Sequence, residues 1–214
     1  MKKLFIFDFD GTLFDSVDDV IACLSHTLKV HGFPALTRSE YLMCLGGNIN
    51  EIMSLVLGKN STPENVEMIK KTYGECYAKS DKSNTRPFEG IMEVLLSLQK
   101  KDVLLAINSN RSTDSIRYFA DRYLSDIDFV LIEGHNENYP SKPSPIGVNK
   151  ILDRAGVLPE EAIYIGDSKT DILTAKNSEI DCAIVKWGYG DESDLQDDYP
   201  VAVVENVSDL IGLV

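Results

Sequence analysis

Five short apolar runs constrain the fold of this chain more than any other feature. Each run is almost free of polar residues, which is typical of a strand buried on both faces of a sheet. From about residue 90 onward, stretches with helical spacing, such as Ile91, Val94, Leu95 and Leu98, separate the runs. Strands that alternate with helices predict right-handed crossovers and a doubly wound parallel sheet of the α/β class. The runs are residues 4–9, 103–107, 129–132, 162–165 and 182–185.

Residues 15–84 interrupt this alternation. No segment there has convincing strand character, and apolar residues at helical spacing predict helices instead. Turn-forming residues, including Gly46 and Gly47, separate these helices. We therefore expect a small all-helical cap inserted after the first strand, at residues 15–84, and a core domain formed by residues 1–14 and 85–214. The predicted helices are residues 17–30, 39–44, 49–57 and 63–78.

Composition restricts the partners of the chain. Its formal net charge of −13 argues against nucleic acid, since an acidic protein repels the phosphate backbone that it has to neutralise. No apolar run approaches the roughly 20 residues that span a bilayer, so no membrane association is expected. Asp8 and Asp10 end the apolar run that follows Lys2 and Lys3 too early for a secretory signal. We therefore expect a cytoplasmic protein.

Two carboxylates, Asp8 and Asp10, lie at the end of the first apolar run. Ligands of doubly wound sheets bind beyond the carboxyl ends of the strands, which is where these acids are expected. Residues two apart on an extended chain point the same way, so both acids are expected to face one site. Two carboxylates that close cannot both ionise cheaply without a cation or a shared proton. The alternative, two turn residues that end a strand, does not require acids to be embedded in an apolar run.

Candidate phosphate-binding groups follow the second apolar run and lie in a later loop. Ser109 and Asn110 offer a hydroxyl, an amide and backbone N–H groups that can bind phosphate oxygens, although an ordinary turn or helix cap uses the same residue types. Lys142 lies in a loop stiffened by Pro143 and Pro145, and an ammonium fixed in this way suits a phosphate oxygen. The alternative for Lys142 is an exposed loop lysine.

Two more acids, Asp167 and Asp171, follow the fourth apolar run at the start of a predicted helix. Asp167 alone could cap that helix. Asp171 lies four residues on, on the same helical face, so a cap leaves the second acid unexplained whereas a metal site uses both. Hard oxygen ligands without clustered histidines indicate Mg²⁺ rather than zinc.

These four motifs, in this order and with a helical insertion after the first, resemble the haloacid dehalogenase-like hydrolases over essentially the whole chain. The pair D-x-D-G-T and G-D-S-x-x-D carries the resemblance, and the K-P-x-P loop supports it. The stretch W-G-Y-G at residues 187–190 is similar to the phosphoglycolate phosphatase branch. The resemblance implies a Rossmann-like core and a Mg²⁺-dependent phosphatase. Its substrate would be a small phosphomonoester, phosphoglycolate-like or a sugar phosphate, hydrolysed through an aspartyl phosphate.

The same resemblance assigns roles to the motif residues. Asp8 is expected to be the nucleophile and Asp10 the general acid and base. Mg²⁺ is expected on Asp8, on the backbone carbonyl of Asp10 and on Asp167. The remaining assignments are Ser109, Asn110 and Lys142 as phosphate-binding residues, Asp171, Gly166 and Ser168 as residues that support the metal ligands, and Gly47, Asn48 and Arg111 as candidate substrate contacts.

The segment after the second strand departs from the branch, which usually has an apolar residue followed by Thr-Asn-Lys. This chain has Asn108, Ser109, Asn110 and Arg111. Ser109 still supplies a hydroxyl, but Arg111 keeps the charge with a different geometry, and Asn108 is polar where a core residue is expected. The departure bears on substrate preference.

Three other activities fit part of this pattern. A phosphosugar mutase of the same superfamily shares all four motifs and returns the phosphate to a sugar rather than to water. A receiver-type signalling module also holds a phosphorylated aspartate with acids, a hydroxyl and a lysine, but the large helical insertion counts against it. A dehalogenase is disfavoured, because displacement of halide from carbon needs neither a proton donor at Asp10 nor a metal.

Overall fold

The computed structural model describes all 214 residues, which form two compact units. The core unit comprises Met1–Phe14 and Pro87–Val214, and the cap unit comprises Asp15–Arg86. The strands are β1 (Leu4–Phe7), β2 (Phe14–Asp15), β3 (Arg86–Pro87), β4 (Leu104–Ser112), β5 (Phe129–His135), β6 (Ala162–Gly166), β7 (Asp181–Val185) and β8 (Ala202–Val204). The α-helices are α1 (Val17–Val30), α2 (Arg38–Cys44), α3 (Ile49–Leu57), α4 (Pro63–Lys79), α5 (Ile91–Gln99), α6 (Thr113–Tyr123), α7 (Ile146–Ala155) and α8 (Lys169–Asn177).

Six parallel strands form the sheet of the core unit, in the order β5-β4-β1-β6-β7-β8. The chain builds this sheet outward from β1 through β4 to β5, and then returns to add β6, β7 and β8 on the other side. The carboxyl ends of β1, β4 and β6 therefore meet where the strand order reverses, which is where such folds bind ligands. This sheet confirms the predicted α/β doubly wound class.

Both faces of β1 are covered, which explains its nearly continuous apolar sequence. Phe5 and Phe7 pack into one apolar cluster that includes residues of α5 and α6. Leu4 and Ile6 pack on the opposite face into a cluster that includes residues of α7 and α8. Each of these four side chains is fully buried, and full burial of a large apolar side chain stabilises a fold by about 1.5–3 kcal/mol. The centre of the sheet is thus a rigid support for the residues at its carboxyl end.

Two predictions about the strands were wrong. The apolar pattern missed β8, because this strand has only 3 residues and lies at the edge of the sheet. The pattern also ended the second strand at residue 107, whereas β4 continues to Ser112. The pairing of β4 with β5 is irregular between Asn108 and Ser112, so the polar residues 108–111 lie in a distorted strand end rather than in a loop.

The cap unit has helices α1 to α4 around an apolar interior of its own, which includes Leu24, Tyr41 and Met53. Asp19 of α1 is buried beside the end of this unit. Its carboxylate accepts hydrogen bonds from the backbone and side-chain nitrogens of Asn84 and from the Thr85 hydroxyl, at 2.7–3.4 Å. These bonds tie the first helix of the unit to its last residues. In neither unit does a helix combine the length and the apolar character that crossing a membrane requires.

Candidate active site

Four segments of the core unit bring polar side chains to the carboxyl ends of β1, β4 and β6. Asp8 follows β1, and its backbone N–H still donates to the carbonyl of Ile165 in β6, at 2.9 Å. Ser109 is buried in the distorted end of β4. Asp167 follows β6, and Lys142 comes from the loop between β5 and α7. Residues far apart in the sequence therefore converge at one end of the sheet.

Three carboxylates form a buried cluster at this position. Ligand atoms of Asp8, Asp167 and Asp171 lie within 4.8 Å of one another, and the residues are 8%, 5% and 0% exposed. Burial raises the pKa of Asp8 to about 7; Lys142 opposes this rise and Asp171 adds to it. Burial also raises the pKa of Asp167 well above its usual value, and the charges of Asp171 and Asp8 raise it further. Burial and mutual repulsion therefore disfavour the ionised forms of Asp8 and Asp167.

Lys142 is the cation of this cluster. Its Nζ lies 2.7 Å from Asp171 Oδ1, 2.9 Å from Asp8 Oδ1 and 3.1 Å from the Tyr164 hydroxyl. Burial on its own would lower the pKa of Lys142, but Asp171 and Asp8 outweigh burial and raise this pKa well above its usual value. An ammonium has three donors, and three acceptors surround this one. Lys142 is only 7% exposed, which excludes the alternative of an exposed loop lysine.

Asn110 holds the backbone of the Lys142 loop. The backbone N–H of Lys142 donates to Asn110 Oδ1 at 2.8 Å, and Asn110 Nδ2 donates to the Lys142 carbonyl at 3.4 Å. Ser109, the residue before it, accepts a hydrogen bond on its hydroxyl from the backbone N–H of Arg111 at 3.3 Å. The segment after Ile107 therefore fixes the lysine loop in addition to presenting a hydroxyl.

Asp171 uses both of its carboxylate oxygens. Oδ1 accepts from Lys142, while Oδ2 accepts from the backbone N–H groups of Asp167 and Ser168, both at 3.1 Å, and from the Ser168 hydroxyl at 2.8 Å. A Cβ at Gly166 would overlap the Asp171 side chain, so glycine is needed there. The sequence argument that capping leaves the second acid unexplained was wrong, because Asp171 itself binds the N–H groups before α8.

Asp10 points to a different partner. Its carboxylate is one third exposed and forms an ion pair with Arg111, whose NH2 group lies 2.6 Å from Asp10 Oδ1. Asp10 also makes a small contribution to the raised pKa of Asp8, and a single site shared by the two acids stays a prediction. Asp8 and Asp10 therefore have different basic partners, Lys142 and Arg111 respectively.

Sequence reasoning missed Tyr164, which gives no signal because a tyrosine in an apolar run resembles any core residue. Its hydroxyl accepts from Lys142 Nζ and donates to the Asn108 carbonyl at 2.8 Å. The side-chain oxygen of Asn108 lies 3.3 Å from the same hydroxyl. Asn108 is buried, and this contact accounts for a polar residue where an apolar one was expected.

The stretch at residues 187–190 packs against Asp167. The backbone N–H of Tyr189 donates to Asp167 Oδ2 at 2.6 Å. A Cβ at Gly188 or Gly190 would overlap Asp167, so the backbone approaches this acid more closely than other residues allow. Trp187 anchors the stretch, because its Nε1 donates to the Thr12 carbonyl at 3.0 Å. The two closely spaced glycines are the sequence signal for this role.

Gly47 and Asn48 have local roles in the cap unit. Asn48 Oδ1 accepts from the backbone N–H groups of Asn50 and Glu51 at 3.0 and 3.2 Å, so it caps α3. A Cβ at Gly47 would overlap the Glu51 side chain. A turn between helices accounts for both residues, and substrate contact by them stays a prediction.

The donor set of the cluster fits a hard divalent cation. Asp171 is fully engaged, whereas the Oδ1 atom of Asp167 has only a weak contact, 3.5 Å from the Thr12 hydroxyl. Asp8 has an ion pair with Lys142 but no hydrogen bond of good geometry to its buried Oδ1. Buried carboxylate oxygens that lack full partners, and whose neighbours are also carboxylates, are the groups that a cation stabilises most.

A family model described as haloacid dehalogenase-like hydrolase matches residues 5–185. This chain belongs to the haloacid dehalogenase-like hydrolase family. Among its curated relatives, the phosphoglycolate phosphatase of Aquifex aeolicus is 31% identical over 211 residues, which cover 99% of this chain and 96% of the relative. Phosphoglycolate phosphatase 1 of Pseudomonas aeruginosa is 27% identical over 216 residues, with 99% and 79% covered.

Solved structures share the fold of the family. A protein from Lactobacillus delbrueckii subsp. bulgaricus has a TM-score of 0.91 at 25% identity, with 100% of this chain and 98% of that chain covered. A haloacid dehalogenase-like family protein from Streptococcus pneumoniae has a TM-score of 0.88 at 22% identity, with 99% and 98% covered. Together with the relatives, these findings confirm the predicted family, its phosphoglycolate phosphatase-like branch and the enzyme class, a phosphoric monoester hydrolase.

Proposed function

We propose that this protein is a Mg²⁺-dependent phosphatase that hydrolyses a small phosphomonoester through a phosphorylated Asp8. The observation that carries the proposal is the buried Asp8 carboxylate, 2.9 Å from the buried Lys142 ammonium and within 4.8 Å of the other acids of the cluster. Such an arrangement opposes folding, because like charges are brought together out of water. Strongly perturbed carboxylates of this kind are characteristic of functional sites.

The proposed substrate is a phosphoglycolate-like ester or a sugar phosphate. The curated relatives named above are phosphoglycolate phosphatases, and they align with 99% of this chain. The net charge of −13 favours a small substrate over a polyanion, since the positive charge of the site is local. Lys142, with Ser109 nearby at the end of β4, provides that local attraction.

In the first half-reaction, a carboxylate oxygen of Asp8 attacks phosphorus, and the bond between phosphorus and the leaving oxygen breaks. Asp10 donates a proton to that oxygen. Asp8 and Asp167, with the Asp10 carbonyl, would hold Mg²⁺, which screens the repulsion between the anionic nucleophile and the anionic ester. Ser109 binds an oxygen of the phosphoryl group, and the positive charge of Lys142 stabilises the negative charge that develops on the phosphoryl oxygens.

In the second half-reaction, Asp10 accepts a proton from water, which attacks phosphorus and releases Asp8 and inorganic phosphate. Lys142 has a distinct part in this step. Once Asp8 is esterified its negative charge is gone, so the N–H of Lys142 that faces Asp8 becomes able to donate to a phosphoryl oxygen. Asp171 and Tyr164 keep the other two donors in place.

The test is a panel of phosphate esters incubated with the purified protein, with and without Mg²⁺, and analysed for free phosphate. We expect release of phosphate that depends on Mg²⁺ and is lost in Asp8→Asn, while the matched exposed variant Asp153→Asn keeps full turnover. An isomerised hexose phosphate without free phosphate would instead identify a mutase. A phosphoryl-aspartate that survives for minutes with negligible turnover would identify a signalling module.

A further inference from the structure

Arg111 and Asp10 form a two-pronged ion pair across the site. Arg111 Nε donates to Asp10 Oδ2 at 3.0 Å, and its NH2 group donates to Asp10 Oδ1 at 2.6 Å. The Arg111 side chain is only 10% exposed. A planar guanidinium that binds both oxygens of a carboxylate fixes the plane of that carboxylate as well as its distance.

The guanidinium is itself held by neighbours within the core unit. Its NH1 group donates to the Ser115 hydroxyl at 2.9 Å. Its central carbon lies over the rings of Phe9 and Phe119, at 5.3 and 5.8 Å from their centroids. Stacking on aromatic faces stabilises a guanidinium and restricts its rotation. Because Arg111 is held in this way, it fixes the orientation of the Asp10 carboxylate. A lysine at this position could not do the same, because an ammonium has neither two parallel N–H donors nor a flat face that stacks on aromatic rings.

We propose that Arg111 is a positioning residue that orients Asp10 for the second half-reaction, the attack of water on phosphorylated Asp8. The inference rests on the proposed function. The fork fixes the plane of the Asp10 carboxylate, and a general base works only when its oxygen is aligned with the proton that it takes from water. In this step the water oxygen bonds to phosphorus while its proton passes to Asp10. The bond between phosphorus and the Asp8 oxygen breaks, which releases the Asp8 carboxylate and inorganic phosphate.

If Arg111 acts only in the second half-reaction, its loss should affect kcat and kcat/KM differently. With p-nitrophenyl phosphate the leaving group departs without a proton, so phosphorylation of Asp8 does not need Asp10. The value of kcat/KM reports that first step, whereas kcat includes the release of phosphate from Asp8. Loss of the Arg111 fork should therefore lower kcat and leave kcat/KM nearly unchanged, so that KM falls in parallel with kcat.

The experiment compares Arg111→Lys and Arg111→Gln with wild type in Mg²⁺. General base catalysis contributes roughly 10²–10⁴-fold, and a misplaced base loses part of that contribution. We expect kcat to fall roughly 10–100-fold in both variants with kcat/KM within about 3-fold. Acid-quenched mass spectrometry should find a larger share of phosphorylated protein than in wild type. Ser115→Ala removes one hydrogen bond to Arg111 without removing Arg111 itself. It should therefore lower kcat less than the two Arg111 variants do. Arg122→Lys, an exposed arginine of α6, is the matched control and should leave both constants unchanged.

A structural role predicts a different result, with kcat and kcat/KM reduced by the same factor and no added phosphoenzyme, and that result overturns the proposal. Asp10→Asn shows which claim has failed. When Asp10→Asn accumulates phosphoenzyme and the Arg111 variants do not, only the role of Arg111 is wrong. When wild type releases no phosphate from any ester, the proposed function fails, and the role of Arg111 fails with it.

Discussion

The two units of this molecule bury carboxylates in opposite ways. In the cap unit, Asp19 is surrounded by neutral donors, the N–H groups of Asn84 and the hydroxyl of Thr85. In the core unit, Asp8 and Asp167 lie in a cluster of like charges with one ammonium, and burial raises the pKa of each. Both kinds of acid are out of water, but Asp19 accepts hydrogen bonds from three neutral donors, whereas Asp167 has one short hydrogen bond, from Tyr189, and one weak contact, with Thr12.

The difference separates an acid that stabilises its unit from acids that destabilise theirs. A carboxylate with full donors holds two segments together and needs no ligand. A cluster of buried acids whose ionised forms are disfavoured is held together by the fold around it, and such strain is typical of a site that binds a cation or reacts. Removal of an acid should therefore stabilise the core cluster and destabilise the cap unit, whereas removal of the cluster's ammonium should destabilise the core. The following predictions test this contrast in order of decreasing effect.

Replacement of the cluster cation should have the largest effect. Lys142→Met leaves Asp8 and Asp171 buried without their ammonium, and removal of one partner of a buried pair costs about 3–5 kcal/mol. We expect a loss of this size in the free energy of unfolding measured with urea and EDTA, together with loss of phosphatase activity. Lys186→Met is the control, because its ion pair with Glu205 is exposed and contributes at most about 1 kcal/mol. Equal losses of stability in the two variants would show that Lys142 does not stabilise the buried acids more than an exposed lysine stabilises its partner.

The pH dependence of stability should identify Asp8 as a strained acid. In metal-free protein its pKa is about 7, against an ordinary value of 3.8. Between these values the folded protein keeps a proton that the unfolded chain has released, so stability falls as pH rises from about 4 to about 7 and then levels off. Each pKa unit corresponds to about 1.4 kcal/mol.

Asp8→Asn removes this contribution from the stability curve. We therefore expect urea denaturation in EDTA to show a smaller loss of stability between pH 5 and pH 8 in the variant than in wild type. A residual decline should remain, because the pKa of Asp167 is also raised. The exposed variant Asp153→Asn should follow the wild-type curve. A decline of the same size in all three proteins would show that Asp8 is not strained.

Removal of the cap acid should destabilise the protein. Asp19→Ala leaves the nitrogens of Asn84 and the hydroxyl of Thr85 without their acceptor, and buried unsatisfied donors cost about 1–3 kcal/mol. Urea denaturation is expected to show a loss in this range at every pH between 6 and 8. Glu75→Ala, an exposed acid of α4, is the control and should change stability by less than about 0.5 kcal/mol. An increase in stability on removal of Asp19 would contradict the claim that Asp19 stabilises the cap unit.

The smallest effect is expected from Tyr164→Phe. The variant keeps Lys142 paired with Asp171 and Asp8 but removes the hydroxyl that holds its third donor. Because two partners still hold the ammonium, the loss should be that of a typical hydrogen bond, about 0.5–1.5 kcal/mol, so kcat/KM should fall roughly two- to tenfold. Tyr118→Phe on the exposed face of α6 serves as the control. Unchanged kcat/KM in Tyr164→Phe would mean that Asp171 alone orients the lysine.

Much of the fold and the identity of the main acids could be predicted, because they depend on local patterns. The apolar runs define buried strands, and the strand order places Asp8 and Asp167 together once the sheet is parallel. The pairing of Arg111 with Asp10 could not be predicted, because it depends on how the distorted end of β4 directs a long side chain. Nor could the contact between Tyr164 and Asn108, since both lie in strands where the pattern indicates core residues.

The most direct test of the account is to look for phosphate on Asp8. Asp10→Asn, which slows hydrolysis of the intermediate, is mixed with a substrate ester and Mg²⁺, quenched in acid and digested for mass spectrometry. We predict a phosphoryl group on the peptide that contains Asp8, and none when Asp8→Asn is added to the same variant. Steady release of phosphate by wild type with no adduct on Asp8, or an adduct on another residue, would contradict the proposed mechanism.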